Sequence, residues 1–257
     1  DSSTSRGLGD VYKRQPLHWI LLLFGEEQLE FRAFGVSSSN FTRGHRFHNN
    51  IEIVIDEPTQ YEKVLSEVGH IIPNFEKRKD LIRAEVVEQG SLANAIAVID
   101  EELLDEVTSL VEYPMALTGE FDSEFLKVPP EALILAMKTH QKCFHMNDAE
   151  GSLLPKFVTV SNIRSKDPLQ VNKGNERVIR PRLADAKFFF ETDKQLTLES
   201  RLEGLKNLVF QNKLGSIHDK VERVAKISKS IAKSLSISET NCERASLLSK
   251  CDLLTDM

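Results

Sequence analysis

Basic and histidine side chains gather in the segment TRGHRFH, the first place where the sequence offers chemistry. Arg43, His45, Arg46 and His48 fall within six residues. Arginine presents a planar fork of N–H donors that suits phosphate, and Gly44 lets the backbone approach a ligand closely. Two histidines three residues apart also suit a metal ion, but the loop has no cysteine or carboxylate to complete such a site. The segment is therefore predicted as a phosphate-contacting loop or as a solvated polar loop.

A second group of cations lies in PEALILAMKTHQK, which is predicted as a helix with Leu133 and Met137 on its apolar side. Lys138 and Lys142 are four residues apart, so both ammonium groups lie on one face of that helix. His140 lies on another face. The lysine pair suits a polyanion, but lysines are also favoured at an exposed helix end by the negative dipole. Both alternatives stay open.

Arginines are crowded in a third segment, GNERVIRPRLADAKFFF. They are Arg177, Arg180 and Arg182. Pro181 among them predicts the first turn of a helix, where proline is tolerated. Asp185 is placed to form a local ion pair with Arg182, and residues 188–190 are three phenylalanines. Arginine beside aromatic residues suits single-stranded RNA, but an Arg–Asp clamp with the phenylalanines in the core fits equally well.

Motifs for nucleotide binding and for common hydrolases are missing from the sequence. It contains no Walker A loop, GxGxxG, GxSxG or HExxH. If the protein serves an ATP-driven reaction, this chain is therefore not expected to hold the ATP. His218 and Asp219 form an adjacent His-Asp pair, but only Asp252 follows to support an HD-type phosphohydrolase. That enzyme class stays an alternative, and no metal ligand is assigned.

The elements that position these segments follow from hydrophobic periodicity. Strands are predicted at residues 17–24, 27–34, 51–55, 114–121, 124–128, 143–147 and 156–161. Helices are predicted at residues 59–68, 74–89, 101–112, 129–142, 181–191, 198–210, 216–235 and 239–256. Gly25-Glu26 is predicted to join the first two strands as a hairpin. Thr59 and Asn74 are predicted as N-caps of their helices.

The order of elements predicts an α+β region followed by an all-α region, with the change near residues 192–197. Residues 1–15 are polar and are predicted as a non-native or disordered leader. The domain limits are then 16–195 for the α+β domain and 196–257 for the start of a helical domain. The helical domain is predicted to be truncated, because the last apolar-periodic segment has no cap.

Composition excludes several classes of protein. With 40% hydrophobic and 28% charged residues, the 257-residue chain is not disordered as a whole. Cys143, Cys242 and Cys251 form neither a CxxC pair nor an even framework, which indicates a cytoplasmic, reducing compartment. The apolar run that ends at Phe24 is too short to span a membrane and is predicted as a buried strand.

Charge is divided unevenly along the chain, whose net charge is -6. From Glu52 to Glu150 there are 8 Lys and Arg against 21 Asp and Glu. From Lys156 to Ser230 there are 16 against 9. An asymmetry of this kind often marks an interaction surface on the basic side. The overall acidity therefore does not exclude a nucleic acid partner.

Five segments in series resemble the beta subunit of the bacterial heterotetrameric glycyl-tRNA synthetase. They are TRGHRFH, VPPEALILAMKTHQKCF, LLPKFVTVSNIRSKDP, GNERVIRPRLADAKFFFETD and VFQNKLGSIHDKVERVA. Their order and spacing agree over residues 16–257. The resemblance covers about the first half of that subunit, after its extreme N-terminus, and leaves out the anticodon-binding region.

The resemblance implies a division of labour between two subunits. In this family the alpha subunit holds glycine, ATP and Mg²⁺ and performs the adenylation, while the beta subunit supplies most tRNA binding within an α2β2 tetramer. The α+β region is similar to the editing-type B3/4 domain of phenylalanyl-tRNA synthetase, and the all-α region resembles an HD domain. No cofactor and no catalytic residue is expected in this chain.

The family motifs carry over onto Arg43, His45, Arg46, Lys138, His140, Gln141, Lys142, Asn175, Glu176, Arg177, Arg180 and Arg182. Charge and donor chemistry predict contact with tRNA(Gly) for Arg43, His45, Arg46, Lys138, Lys142, Arg177, Arg180 and Arg182. HD enzymes carry a His-Asp pair where this sequence has Ser249-Lys250, which disfavours a metal hydrolase. Hydrolytic proofreading of mischarged tRNA in the B3/4-like region stays an alternative that rests on fold resemblance alone.

Overall fold

The computed structural model describes residues 17–257 and shows a mixed α+β protein, which confirms the predicted class. The chain divides into two compact units. Unit one comprises residues 17–123 and Met137–Ile179, and unit two comprises Glu124–Ala136 and Arg180–Met257. The predicted leader, residues 1–15, lies outside the described residues.

Within the described residues the helices are α1 (Tyr61–Glu67), α2 (Phe75–Leu92), α3 (Glu101–Leu110), α4 (Pro130–Gln141), α5 (Pro168–Asp193), α6 (Ile217–Ser234) and α7 (Glu239–Leu248). The strands are β1 (Ile20–Leu21), β2 (Leu23–Phe24), β3 (Glu27–Gln28), β4 (Arg32–Ala33), β5 (Val36–Ser39), β6 (Phe41–Arg43), β7 (Glu52–Val54), β8 (Ile96–Ala97), β9 (Met115–Glu120), β10 (Phe144–Asn147), β11 (Leu153–Ser161), β12 (Val209–Gln211) and β13 (Gly215–Ser216). Segments of 3-10 helix occupy Pro58–Gln60, Ser123–Lys127, Glu199–Asn207 and Cys251–Leu254.

Unit one is built on an antiparallel sheet in the order β8-β10-β11-β9. Helices α2 and α3 pack against it and share a core with the strands. That core includes Ile82, Val86, Leu104, Phe144 and Val158. Helix α2 begins where predicted, because the Asn74 side chain accepts a hydrogen bond from the Lys77 N–H at 3.0 Å.

Smaller sheets precede the main sheet in unit one. Strand β5 pairs parallel with β1 and antiparallel with β4, and β2 pairs with β3 across the predicted Gly25-Glu26 turn. The predicted strand around Ile53 is β7, which pairs with β6. Ile53, Ile55 and Leu65 form a second core beneath these strands. This core fixes the end of β6, from which the TRGHRFH segment leaves.

Three predictions in the α+β region are wrong. Residues 17–24 are not one buried strand: they form two short strands, and no side chain between 17 and 24 is fully buried. Thr59 does not cap α1, because it lies inside the 3-10 turn Pro58–Gln60 and Gln60 occupies the N-cap position of the helix. The predicted strand at 124–128 is largely a 3-10 turn that buries Phe125.

Unit two is mainly helical and encloses a small core of Leu205, Val221 and Cys251. Helix α6 begins with a reciprocal cap, in which Ser216 and Asp219 each bind the other's backbone N–H. Two predictions here are wrong. Strand β12 follows a 3-10 segment where a helix was expected over 198–210, and the last predicted helix, 239–256, ends at Leu248.

Helix α5 is longer than the sequence predicts. It starts at Pro168 and contains Pro181 in its interior, so Pro181 is not the first turn of a helix. Proline removes one N–H donor from a helix interior. Ile179 and Leu183 flank it and are both buried, and this packing keeps the helix continuous in spite of the lost hydrogen bond. No helix among residues 17–257 is long and apolar enough to cross a membrane.

Candidate nucleic-acid interface

Arg43 is the last residue of β6 and is engaged in an ion pair. Its register partner on β7 is Glu52, and its guanidinium donates to the Glu52 carboxylate at 2.7 Å. Both side chains are about half exposed, so water screens the pair. A polyanion that uses Arg43 has to compete with this carboxylate.

The turn after β6 is held against the segment that follows α1. A Cβ on Gly44 would lie 2.2 Å from the Asn49 carbonyl oxygen, so only glycine fits there. The His45 N–H donates to the Gly69 carbonyl at 2.7 Å, and the Asn49 amide donates to the Val68 carbonyl at 2.6 Å. Gly44 therefore serves close backbone packing within the fold.

His45 is fully buried in this turn. Its Nδ1 accepts the N–H groups of Phe47 and His48, both at 3.3 Å. The ring proton is then on Nε2, which has no hydrogen-bond partner among the described residues. The His45 ring contacts that of His48 in a tilted arrangement, with a centroid distance of 4.8 Å. Burial favours a structural role for His45 over contact with tRNA.

A cluster of aromatic rings surrounds His48. The ring centroids of His48 and His70 both lie within 5.5 Å of that of Tyr113, and the Arg164 guanidinium lies 5.3 Å above the Tyr113 ring. The Arg164 N–H donates to Nε2 of His48 at 3.1 Å, and its guanidinium binds Glu85 at 2.7 Å. The sequence analysis missed this cluster, because its members come from four distant segments and carry no local motif.

Arg46 projects from the same turn and is exposed. Its guanidinium lies 5.7 Å from the centre of the Phe47 ring, a cation–π contact. It has no carboxylate partner within residues 17–257. Arg46 is thus a cation that stays available to an external anion.

A cavity of about 670 Å³ opens beside Arg46 in unit one. Its lining includes Trp19, Arg43, Arg46, Tyr61, Arg78 and Glu112. Arg78 donates to the carbonyls of Thr108 and Ile72, and burial lowers the pKa of its guanidinium. Arg78 therefore has a structural role, and Arg43 is paired with Glu52. Of the arginines that line this cavity, Arg46 is the one without a hydrogen-bonded or carboxylate partner among the described residues.

Lys138 and Lys142 lie near the end of α4 and face the acidic side of α3. Lys138 binds Asp100 at 2.5 Å, and Lys142 binds Glu106 at 2.7 Å. The hydrogen bond from Lys138 lowers the pKa of the Asp100 carboxyl and raises that of the lysine. Each side chain of the Lys138 pair is about one third exposed, so screening is substantial. These lysines neutralise α3, which favours the structural alternative for them.

Three arginines of α5 are exposed and have no carboxylate partner within the described residues. They are Arg177 in unit one and Arg180 and Arg182 in unit two. The expected Arg182–Asp185 ion pair is not formed. Glu176, beside them in the sequence, accepts the Glu120 N–H at 3.0 Å and so anchors the first part of α5 to β9.

The remaining motif residues and the possible metal ligands are placed as follows. His140 is exposed on α4, Gln141 ends that helix, and Asn175 is half-buried on α5.

The ligand atoms of His218, Asp219 and Glu222 lie within 4.8 Å of one another. The Asp219 carboxylate already accepts the Ser216 N–H at 2.7 Å and its hydroxyl at 2.8 Å, so the helix cap explains its position.

The family profile described as glycyl-tRNA synthetase beta subunit matches residues 9–257. The chain belongs to this family. It is 52% identical over 243 residues to a glycine–tRNA ligase beta subunit of Hahella chejuensis, and 50% identical over 244 residues to that of Marinobacter nauticus. It is also 50% identical over 243 residues to the beta subunit of Psychromonas ingrahamii. Each alignment covers 95% of this chain and 35% of the relative, so the chain spans about a third of their length and not the half that the resemblance implied.

Membership of the glycyl-tRNA synthetase beta subunit family confirms the resemblance seen in the five segments. The structure divides the cations of those segments into two classes. Arg43, Lys138 and Lys142 bind neighbouring carboxylates, whereas Arg46 and the three α5 arginines bind none within residues 17–257. Within that part of the chain, the second class offers charge that no carboxylate neutralises.

Proposed function

We propose that this chain is part of a glycine–tRNA ligase beta subunit that binds tRNA(Gly) and assembles with a catalytic alpha subunit. The observation that carries the proposal is the family match over residues 9–257. The alpha subunit holds glycine, ATP and Mg²⁺ in this proposal, and the assembly is a cytoplasmic α2β2 tetramer. The beta chain contributes binding energy for tRNA and no catalytic group.

The uncommitted arginines support tRNA as the partner. Arg46, Arg177, Arg180 and Arg182 are exposed, and none of them pairs with a carboxylate within residues 17–257. Phosphate binding releases counterions from RNA, and an arginine that breaks no ion pair contributes this gain in full. Lys138 and Lys142 would first have to leave Asp100 and Glu106, so we assign them to the support of α4.

The domain assignment is part of the same proposal. Residues 16–195 form a B3/4-like domain, and residues 196–257 begin an HD-like domain. The position of Ser249 and Lys250 where HD enzymes carry their His-Asp pair supports a non-catalytic helical domain.

Reconstitution of aminoacylation tests the proposal. Full-length beta subunit is mixed with its alpha subunit, and glycyl-tRNA formation is compared with that by the alpha subunit alone. The proposal requires charging to depend on the beta subunit and the two chains to co-elute. Normal charging by the alpha subunit alone would contradict it.

A further inference from the structure

Two neighbouring phenylalanines at the end of α5 are exposed. Phe188 is 65% exposed and Phe189 is 38% exposed, and neither belongs to a core of unit two. Their ring centroids lie 5.6 Å apart at an interplanar angle of 67°, so the rings form an edge-to-face pair. Phe190 next to them is half-buried under the Lys194 ammonium group. The sequence leaves open whether these rings belong to the core. In the structure, the rings of Phe188 and Phe189 lie at the surface.

Charge on the same stretch of helix is mainly positive. Arg182 precedes Phe189 by seven residues, or two helical turns, so both lie on one side of α5 about 10 Å apart along its axis, whereas Arg180 lies on nearly the opposite side from Arg182. Both guanidinium groups lack a carboxylate partner among the described residues. Lys187 is turned toward Glu124, which it binds at 2.9 Å. Asp185 is the one exposed acid between Arg182 and the rings.

We propose that Arg182, Phe188 and Phe189, here called the Arg–Phe surface, bind unpaired nucleotides of RNA. Arg182 contacts a phosphate, and the rings stack on bases that are free of a duplex. This inference rests on the proposed function and names the part of the RNA that the surface takes. Duplex bases are stacked on one another and present no free face, so the rings contribute only with single strands.

The need for a planar ring at positions 188 and 189 distinguishes an RNA partner from a protein partner. An apolar protein interface would gain from any large side chain at positions 188 and 189, because burial of apolar area has no directional requirement. Base stacking needs a planar ring. Phe188→Leu and Phe189→Leu preserve most of the apolar area and remove the ring, whereas Phe188→Tyr keeps it.

The test measures the affinity of the full chain for two fluorescein-labelled probes by anisotropy. One probe is a short oligoadenylate, and the other is a blunt RNA duplex of the same length. The double variant Phe188→Leu with Phe189→Leu is expected to bind oligoadenylate at least about fivefold more weakly, which is the lower range for one stacked base. Duplex affinity should stay unchanged. Phe188→Tyr should bind like wild type, and Phe24→Leu serves as a control at an exposed phenylalanine of unit one.

A second variant tests the electrostatic half of the surface. Asp185→Asn removes the acid between Arg182 and the rings, so it should tighten oligoadenylate binding. Circular dichroism confirms that each variant is folded. The inference is overturned if the leucine double variant binds oligoadenylate with the affinity of wild type. In that case tRNA binding that still weakens on Arg177→Glu leaves the proposed function intact, whereas absence of tRNA binding by the wild type removes the proposed function itself.

Discussion

At the residue scale, His48 of unit one has neighbours that disfavour its protonated form and lower its pKa. His48 accepts the Arg164 N–H through Nε2, so the ring has to be unprotonated at that atom. Burial lowers the pKa of His48, and the neighbouring His45, His70 and Arg164 lower it further. The cluster therefore links the stability of unit one to pH.

This linkage gives a prediction for acid conditions. Since the folded state lowers the pKa of His48, the unfolded state binds a proton more readily, and the free energy of unfolding decreases as pH falls through about 6.5. His48→Gln should show a shallower decrease, because glutamine still accepts a hydrogen bond but does not titrate. Urea unfolding followed by the fluorescence of Trp19, the single tryptophan, measures this in unit one. His140→Gln, on an exposed residue, is the control, and an identical pH dependence for His48→Gln and wild type would contradict the account.

The individual cations show what a sequence can and cannot predict at this scale. Arginine and lysine at these positions predict anion binding, and their spacing predicts shared helix faces. The partner of Lys138 is Asp100, 38 residues away, so only the folded chain brings the two together. The sequence does not predict the exposure of the Phe188 side chain either, because three consecutive phenylalanines are equally compatible with a buried core.

At the element scale, the main sheet of unit one depends on one close approach. Gly119 on β9 lies opposite Phe157 on β11, and a Cβ at Gly119 would stand 2.4 Å from the ring of that buried phenylalanine. Gly174 in α5 is the opposite case, because a Cβ there would meet open space. The two glycines therefore have opposite expectations for the same substitution.

Gly119→Ala is expected to destabilise unit one by about 1–3 kcal/mol, since the Phe157 ring has to leave its place in the core. Gly174→Ala is expected to stabilise it by about 1 kcal/mol through higher helix propensity. Urea unfolding monitored by Trp19 fluorescence compares both variants with wild type. Equal stability of Gly119→Ala and wild type would show that the β9–β11 contact is looser than described.

Local chemistry explains which elements the sequence could predict. Asn74 and Ser216 cap their helices because a side-chain oxygen reaches a backbone N–H three residues later. Thr59 fails as a cap because residues Pro58–Gln60 form a 3-10 turn, so that the helix begins only at Tyr61. Proline is enriched in the first turn of helices. Pro181 nevertheless lies in the interior of α5, where the buried side chains of Ile179 and Leu183 stabilise the continuous helix. Tertiary packing of this kind overrides local signals.

At the scale of the whole molecule, the charge asymmetry of the sequence acquires a structural basis. Acidic side chains of α3 are neutralised by Lys138 and Lys142, whereas the arginines of α5 stay unpaired among the described residues. The chain spans about a third of the length of its relatives. The central claim for this third is that its α5 arginines contact tRNA phosphates.

The affinity of the full-length protein for tRNA(Gly) as a function of salt tests that claim most directly. The double variant Arg177→Glu with Arg180→Glu is compared with wild type and with Lys63→Glu, a control at an exposed lysine of the acidic region. The account predicts weaker binding by the arginine variant and a salt dependence of log K that is shallower by about one per lost phosphate contact. Lys63→Glu should match wild type. Unchanged affinity and slope in a folded arginine variant would contradict the account.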